Sequence, residues 1–267
     1  MHVALLHDGR PALLRVEGPA GGPVVLFFHP FPLHADAWSE MLEACVRAGL
    51  CAAALDAPGF GGTPHLGKPL TMEALADFGA AALDALGANR AAIVGCSMGG
   101  YAAMAFARRH PGRMAAAALI ATKASADTPE AKQNRERQAS LALASGPKPV
   151  LAEFVPKLLA PDAPAAVRRR VEELAARATA QGIADALRGM ALRPDSTPDL
   201  PGWTAPTLVI AGERDQLIPR AEMEKLAQGI PGARIEVIAG AGHLPFLESP
   251  SAVAPLLTAH LKAGPRA

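Results

Sequence analysis

Apolar residues in the first third of the chain fall alternately into short unbroken runs and helically spaced stripes. Val3 to Leu6 and Ala12 to Glu17 flank Asp8-Gly9, a dipeptide that tolerates the positive φ angles of a tight turn, so the chain is predicted to open with a β-hairpin. Pro23 precedes Val24-Val25-Leu26-Phe27-Phe28, a run without a polar position, as expected of a strand buried on both faces of a parallel sheet. Asp36 is the expected cap of a helix reaching about Ala48, Leu50 to Leu55 reads as the next strand, and Thr71 begins a helix with Leu75, Phe78 and Leu83 on one face. Ala91 to Val94 is short and buried in character. Met98 to His110 is helical until Pro111 stops it, and Met114 to Ala121 is a further strand.

From Lys123 to about Pro201 helical stripes follow one another without intervening strands, separated by prolines such as Pro147, Pro156, Pro164 and Pro194. Leu151, Phe154 and Leu158 form one stripe, Val167, Val171 and Leu174 a second, Ile183, Leu187 and Met190 a third. Arg169-Glu173 and Glu173-Arg177 have the spacing of i,i+4 ion pairs on a solvated face. After Pro206 the alternation returns with the strand Thr207 to Ala211, a helix near Arg220 to Gln228, the strand Arg234 to Ile238 and a last helix from about Ser249. This order implies an α/β fold whose mostly parallel sheet carries helices on both faces. The core would comprise residues 1–122 and 201–267, with a helical insertion at 123–200, all one domain. Ligands of such sheets bind beyond the carboxyl ends of the strands, which is where chemistry is sought.

Composition narrows the function classes. The 267 residues include 26 Lys and Arg against 25 Asp and Glu, a net charge of +1 without a long run of one sign, so no nucleic-acid footprint is expected. His7, Asp8 and Gly9 interrupt the N-terminal stretch where a signal peptide needs apolar residues. The most apolar long segment, Ala91 to Ala107, is broken by Gly95, Ser97, Gly99 and Gly100, which suits a strand, turn and helix better than a membrane span. Cys45, Cys51 and Cys96 are odd in number and lack metal-ligand spacing, so neither a disulfide framework nor a zinc site is expected; the default is a reducing cytoplasm. Self-association is left open.

Gly95-Cys96-Ser97-Met98-Gly99 fits G-x-S-x-G between a strand and a helix. The glycines permit a turn too sharp for side chains, which exposes the Ser97 hydroxyl and leaves the Met98 N–H at a helix N-terminus, ready for an oxyanion. His243, in the loop Ala239-Gly240-Ala241-Gly242-His243-Leu244-Pro245, is the candidate base, since a serine hydroxyl needs an imidazole to take its proton near neutral pH. Asp215 lies just beyond the strand Thr207 to Ala211, where it could hold the imidazole tautomer; the competing Glu213 is more simply paired with Arg214. The order Ser, Asp, His is that of hydrolases with this elbow. After the central strand comes His29-Pro30-Phe31-Pro32. Its prolines leave Phe31 as the one backbone donor between them, making it the second oxyanion candidate. Asp56 to Gly62 reads as a structural turn near the site, His2, His7, His65, His110 and His260 as structural or surface histidines, and Cys96 as a core side chain.

Together G-C-S-M-G-G, D-A-P-G-F-G-G, G-E-R-D-Q-L-I-P and G-A-G-H-L-P-F-L-E-S-P resemble the α/β-hydrolase superfamily over nearly the whole chain. Within it the chain is similar to small bacterial carboxylesterases, enol-lactone hydrolases and cofactor-free haloperoxidase-like perhydrolases. The resemblance implies an eight-stranded sheet with a helical cap, Ser97, Asp215 and His243 as a triad, Phe31 and Met98 as oxyanion donors, and neither metal nor organic cofactor. The chain departs from the family in having Pro30 where His-Gly is usual.

The expected activity is hydrolysis of a carboxylic ester or lactone through an acyl-enzyme on Ser97. Phe31, Trp38, Met98, Phe154, Met190 and Leu244 are the candidate pocket walls, whose apolar character points to a small or medium uncharged acyl group. The alternatives are carbon-carbon bond hydrolysis or acyl transfer by the same triad, and a ligand receptor on the same fold with negligible turnover.

Overall fold

The computed structural model describes residues 2–263. Eight strands form one sheet: β1 (His2–His7), β2 (Arg10–Glu17), β3 (Val24–Phe28), β4 (Cys51–Leu55), β5 (Ala91–Cys96), β6 (Met114–Ile120), β7 (Thr207–Gly212) and β8 (Arg234–Ile238). Their spatial order is β1-β2-β4-β3-β5-β6-β7-β8. Only the first two pairings, β1 with β2 and β2 with β4, are antiparallel; every later neighbour is parallel. The opening hairpin forms as expected, with Asp8 at φ 51° and Gly9 at φ 72° in its turn.

Ten α-helices complete the described chain: α1 (Ser39–Arg47), α2 (Met72–Ala85), α3 (Met98–Arg109), α4 (Pro129–Ser145), α5 (Lys148–Phe154), α6 (Ala165–Ala175), α7 (Ala180–Leu192), α8 (Arg220–Gly229), α9 (Pro245–Glu248) and α10 (Pro250–Ala263). Strand side chains alternate across the sheet and create two cores. Leu26 and Phe28 join α2, α3 and α8 on one face, while Val25 and Phe27 join α1 and α10 on the other. Phe27 and Phe28 are both essentially fully buried, and each such ring contributes roughly 1.5–3 kcal/mol over an exposed one. This is why β3 reads as one unbroken apolar run. Every α-helix between β6 and β7, α4 to α7, belongs to the stretch expected to be helical. No helix among the described residues is long and apolar enough to cross a membrane.

Two local expectations are corrected, and one helix goes beyond them. Asp36 does not cap α1: a 3-10 turn at Ala35–Trp38 comes first, its N-terminal N–H bonded by His34, and the Asp36 carboxylate instead accepts from Arg15 Nη1 at 3.0 Å. Arg169, Glu173 and Arg177 are exposed as expected, yet neither i,i+4 pair forms; Arg177, just past the end of α6, instead reaches Asp36 at 3.3 Å in the turn before α1. The helix α4 had no predicted counterpart. Its long polar surface hides the 3.6-residue period, although Thr128-Pro129-Glu130 carries a helix-start signal and the Thr128 hydroxyl accepts from Ala131 N.

At the start of α2 the Thr71 hydroxyl accepts from Ala74 N at 3.1 Å, as its position in the sequence predicts. Thr71→Ala should lower the unfolding free energy by about 0.5–2 kcal/mol in a urea titration, and Thr71→Ser by much less. Equal losses for the two variants would contradict the cap.

Candidate active site

At the junction of β5 and α3, Ser97 sits at φ 53° and ψ −114°, a left-handed value that L-residues hold only under constraint. The constraint is close packing. A Cβ at Gly95 would overlap the Gly99 carbonyl, and one at Gly99 would overlap the Phe28 carbonyl of β3. Ser97 N donates to Ile120 O at 2.9 Å, and the Thr122 hydroxyl donates to Ser97 O at 3.0 Å, so the elbow is fastened to the end of β6.

Two loops at the carboxyl ends of β7 and β8 bring the other candidates together. His243 Nδ1 lies 2.8 Å from Asp215 Oδ2, and both side chains are almost fully buried. The other carboxylate oxygen accepts from Leu217 N at 2.8 Å and Ile218 N at 3.1 Å, which fixes its direction. A carboxylate can only accept, so Nδ1 carries a proton, and in the neutral imidazole Nε2 is then the nitrogen with the lone pair. Nε2 is buried and has no hydrogen-bond partner among the described residues. His243 and half-buried Ser97 line one cavity of about 200 Å³, without a hydrogen bond between them; such contacts commonly tighten only when substrate is bound. A roomier cavity of about 380 Å³, lined by Pro23, Arg90 and Ala115 among others, lies at the amino ends of the strands, away from this chemistry.

Of the expected pocket walls, Phe31, Phe154 and Met190 line the cavity. Trp38 and Leu244 do not. Trp38 stacks on Phe246 at 4.0 Å and packs on Phe27 within the core, and Leu244 is fully buried there too. Met98 is likewise buried among core side chains; as the first residue of α3 its N–H has no acceptor within the helix. The Phe31 N–H bonds to no acceptor among the described residues.

The loop carrying Phe31 is held from below. His29 Nε2 accepts from Ala57 N at 3.0 Å and its Nδ1 lies 3.1 Å from Pro30 O, so the ring is neutral with Nδ1 donating. Burial, partly opposed by the nearby Asp56 carboxylate, pushes the His29 imidazole down to about 4. Asp56 in turn accepts from Ala35 N at 2.8 Å and Gly62 N at 2.9 Å, the structural turn that its sequence context suggests.

Other expectations resolve locally. Glu213 does not pair with Arg214: it accepts from Gly240 N at 2.8 Å, and Arg214 pairs with Asp162. Cys96 points into the core with its Sγ 3.8 Å from His243 O, and burial pushes its thiol far up, with the Asp215 carboxylate adding to the effect. His110 bonds Asp77 at 2.9 Å, His260 bonds Ala117 O at 2.9 Å, His7 packs edge-on against Phe78 and His65 is half exposed; the His2 side chain lies outside the described residues.

Sequence reasoning missed two groups. Glu248 accepts at Oε1 from Gly242 N at 2.9 Å and Leu244 N at 3.3 Å, the amides on either side of His243, and at Oε2 from Ala160 N at 2.8 Å. It thereby fastens the histidine loop to the chain leading into α6; its place in the first turn of a short helix just after His243 was the available signal. The second group is Tyr101, Lys123, Asp127 and Arg135, all lining the cavity. Arg135 and Asp127 were unreadable because α4 itself was.

Residues 23–250 match the family described as the alpha/beta hydrolase fold. The chain is 32% identical to a pimeloyl-[acyl-carrier protein] methyl ester esterase of Aromatoleum aromaticum, over 88% of this chain and 96% of that one. Among solved structures it is similar to a thermophilic esterase from Thermogutta terrifontis, described with malate bound, at 36% identity and a TM-score of 0.91, covering 98% of each chain. An enol-lactonase from Burkholderia xenovorans shares the fold at a TM-score of 0.88 and 24% identity, over 98% of this chain and all of that one.

The depressed His29 imidazole has a consequence for stability. Between pH 6.5 and about 4 the unfolded chain binds a proton at this residue that the folded chain does not, so stability is lost as pH falls through that window, on the order of 3 kcal/mol when complete. In His29→Gln the fall in Tm across the same window should be shallower than in the wild type. Parallel profiles would show that this ring titrates alike in both states.

Proposed function

The chain belongs to the α/β-hydrolase-fold family, and on that premise we propose that it hydrolyses a carboxylic ester or lactone through an acyl-enzyme on Ser97. The observation that carries this reading is the buried His243 imidazole, bonded to Asp215 at 2.8 Å, with its Nε2 lone pair unpartnered in the cavity that Ser97 lines. A serine hydroxyl is a weak nucleophile at neutral pH until a base takes its proton as the new bond forms.

The steps follow from the positions. Ser97 Oγ attacks the carbonyl carbon while its proton passes to His243 Nε2, and Asp215 stabilises the imidazolium across Nδ1. The carbonyl oxygen becomes an oxyanion, for which the Phe31 and Met98 N–H groups are the candidate donors. Collapse breaks the bond to the leaving oxygen, which receives the proton from Nε2 and departs as an alcohol, or stays tethered if the substrate is a lactone. Water then gives a proton to Nε2 and its oxygen to the acyl carbon; breakdown of that second adduct frees the acid and returns the proton to Ser97. We read residues 123–200 as a cap over this cavity, and the three unpaired, buried cysteines as suited to a reducing cytoplasm.

With p-nitrophenyl acetate, Ser97→Ala should lower kcat by on the order of 10⁴–10⁶ and Asp215→Asn by on the order of 10⁴, with Tm close to that of the wild type. Wild-type turnover in Ser97→Ala would refute the reading. Products from a panel of esters, lactones and diketones, with and without an acceptor alcohol, separate hydrolysis from carbon-carbon cleavage and acyl transfer.

A further inference from the structure

We propose that the substrate carries a free carboxylate, recognised by Lys123 and Arg135 in the cavity that Ser97 and His243 share. The inference rests on the hydrolase reading for the reaction, but its charge argument is independent. Lys123 directly follows Thr122, whose hydroxyl bonds Ser97 O, so its backbone is anchored to the elbow. Lys123 is half-buried, is among the residues that line the cavity, and makes no side-chain hydrogen bond or ion pair among the described residues. Of the acidic groups near it, Glu222 is already engaged by Lys225 at 3.0 Å and by Ser125 Oγ at 2.9 Å.

Arg135 reaches the same cavity from α4. Its Nε donates to Asp127 Oδ2 at 2.5 Å, its Nη2 lies 3.5 Å from Asp127 Oδ1, and among the described residues its Nη1 has only the Met190 sulfur at 3.5 Å, so this fork retains donor capacity. Asp127 cannot neutralise the wall, because it also serves Arg193 at 2.8 Å. Arg193 is buried with its guanidinium 4.0 Å above the Tyr101 ring. Burial raises the Asp127 carboxyl, but hydrogen bonds from Arg193 and Arg135 more than reverse this and hold it at about 2, so it counts as one full negative charge. Lys123, Arg135 and Arg193 against Asp127 and the Asp215 carboxylate behind His243 leave a surplus of one positive charge beside a nucleophile that itself carries none. Cations half removed from water favour an anionic partner, and a guanidinium with a lysine suits the two oxygens of a carboxylate.

The sequence expectation of an uncharged acyl group is revised accordingly. Phe31, Phe154 and Met190 still supply apolar contact, and the substrate class becomes an ester or lactone with a second, unesterified carboxyl group, such as the half-ester of a short dicarboxylic acid.

The test compares monomethyl glutarate with dimethyl glutarate, and measures glutarate binding by calorimetry. The wild type should favour the half-ester in kcat/KM by about tenfold or more, mainly through KM. Lys123→Met should lower that preference by about tenfold, and Lys123→Glu should invert it. Glutarate should bind the wild type and Ser97→Ala alike and bind Lys123→Glu far more weakly. Arg135→Lys, which keeps the charge opposite Asp127, should lose part of the preference while staying folded. Equal or better turnover of the diester by the wild type, or glutarate affinity unchanged in Lys123→Glu, would overturn the proposal. If neither ester is hydrolysed but glutarate binds as described, the hydrolase reading fails and carboxylate recognition stands. Inorganic phosphate competing as strongly as glutarate would assign the wall to phosphate and overturn the carboxylate.

Discussion

Where β5 meets α3 the chain reverses direction in a space too small for side chains, and Ser97 takes a backbone conformation that a serine in open chain would avoid. The strain, on the order of 1–3 kcal/mol for such a residue, is sustained because the elbow is wedged between the Phe28 carbonyl of β3 and the end of β6. Much of the architecture serves this one turn. Strands β3, β5 and β6 must be neighbours and parallel for their carboxyl ends to meet there, and the two aromatic side chains at the end of β3 pin the sheet to helices on opposite faces.

The candidate base, His243, is positioned by a separate set of backbone bonds. Asp215 is aimed by the amides of Leu217 and Ile218, and His243 is held through its neighbours by Glu248. The same Glu248 carboxylate bonds Ala160, and Gln216 bonds Leu159 O at 2.8 Å, so the two loops that carry Asp215 and His243 are both tied to the segment between α5 and α6. The helical stretch therefore contributes to the site twice: it fastens the loops, and through α4 it brings Arg135 to the cavity.

What the sequence made legible was set by how locally each feature is determined. The β3 run, the Asp8-Gly9 turn, the Thr71 cap and the elbow depend on neighbours within a few residues, and each is found where its pattern placed it. The juxtaposition of Asp215 with His243 is long-range, yet was readable because both sit just beyond strands of one sheet. Trp38 was misassigned as a pocket wall because an aromatic near the site has the same sequence signal whether it faces the cavity or stacks on Phe246. Arg135, Asp127 and Arg193 gave no pattern at all: their meeting depends on the packing of α4 with α7, and α4 is polar around most of its surface.

The central claim is that Ser97 is the one activated hydroxyl in this molecule. Reaction with a fluorophosphonate, followed by proteolysis and mass spectrometry, tests it most directly, since an organophosphorus centre reports which oxygen the buried imidazole activates. The account predicts one adduct per chain, on the peptide that carries Ser97, formed far more slowly in His243→Ala. An adduct on another residue, or none, would contradict it.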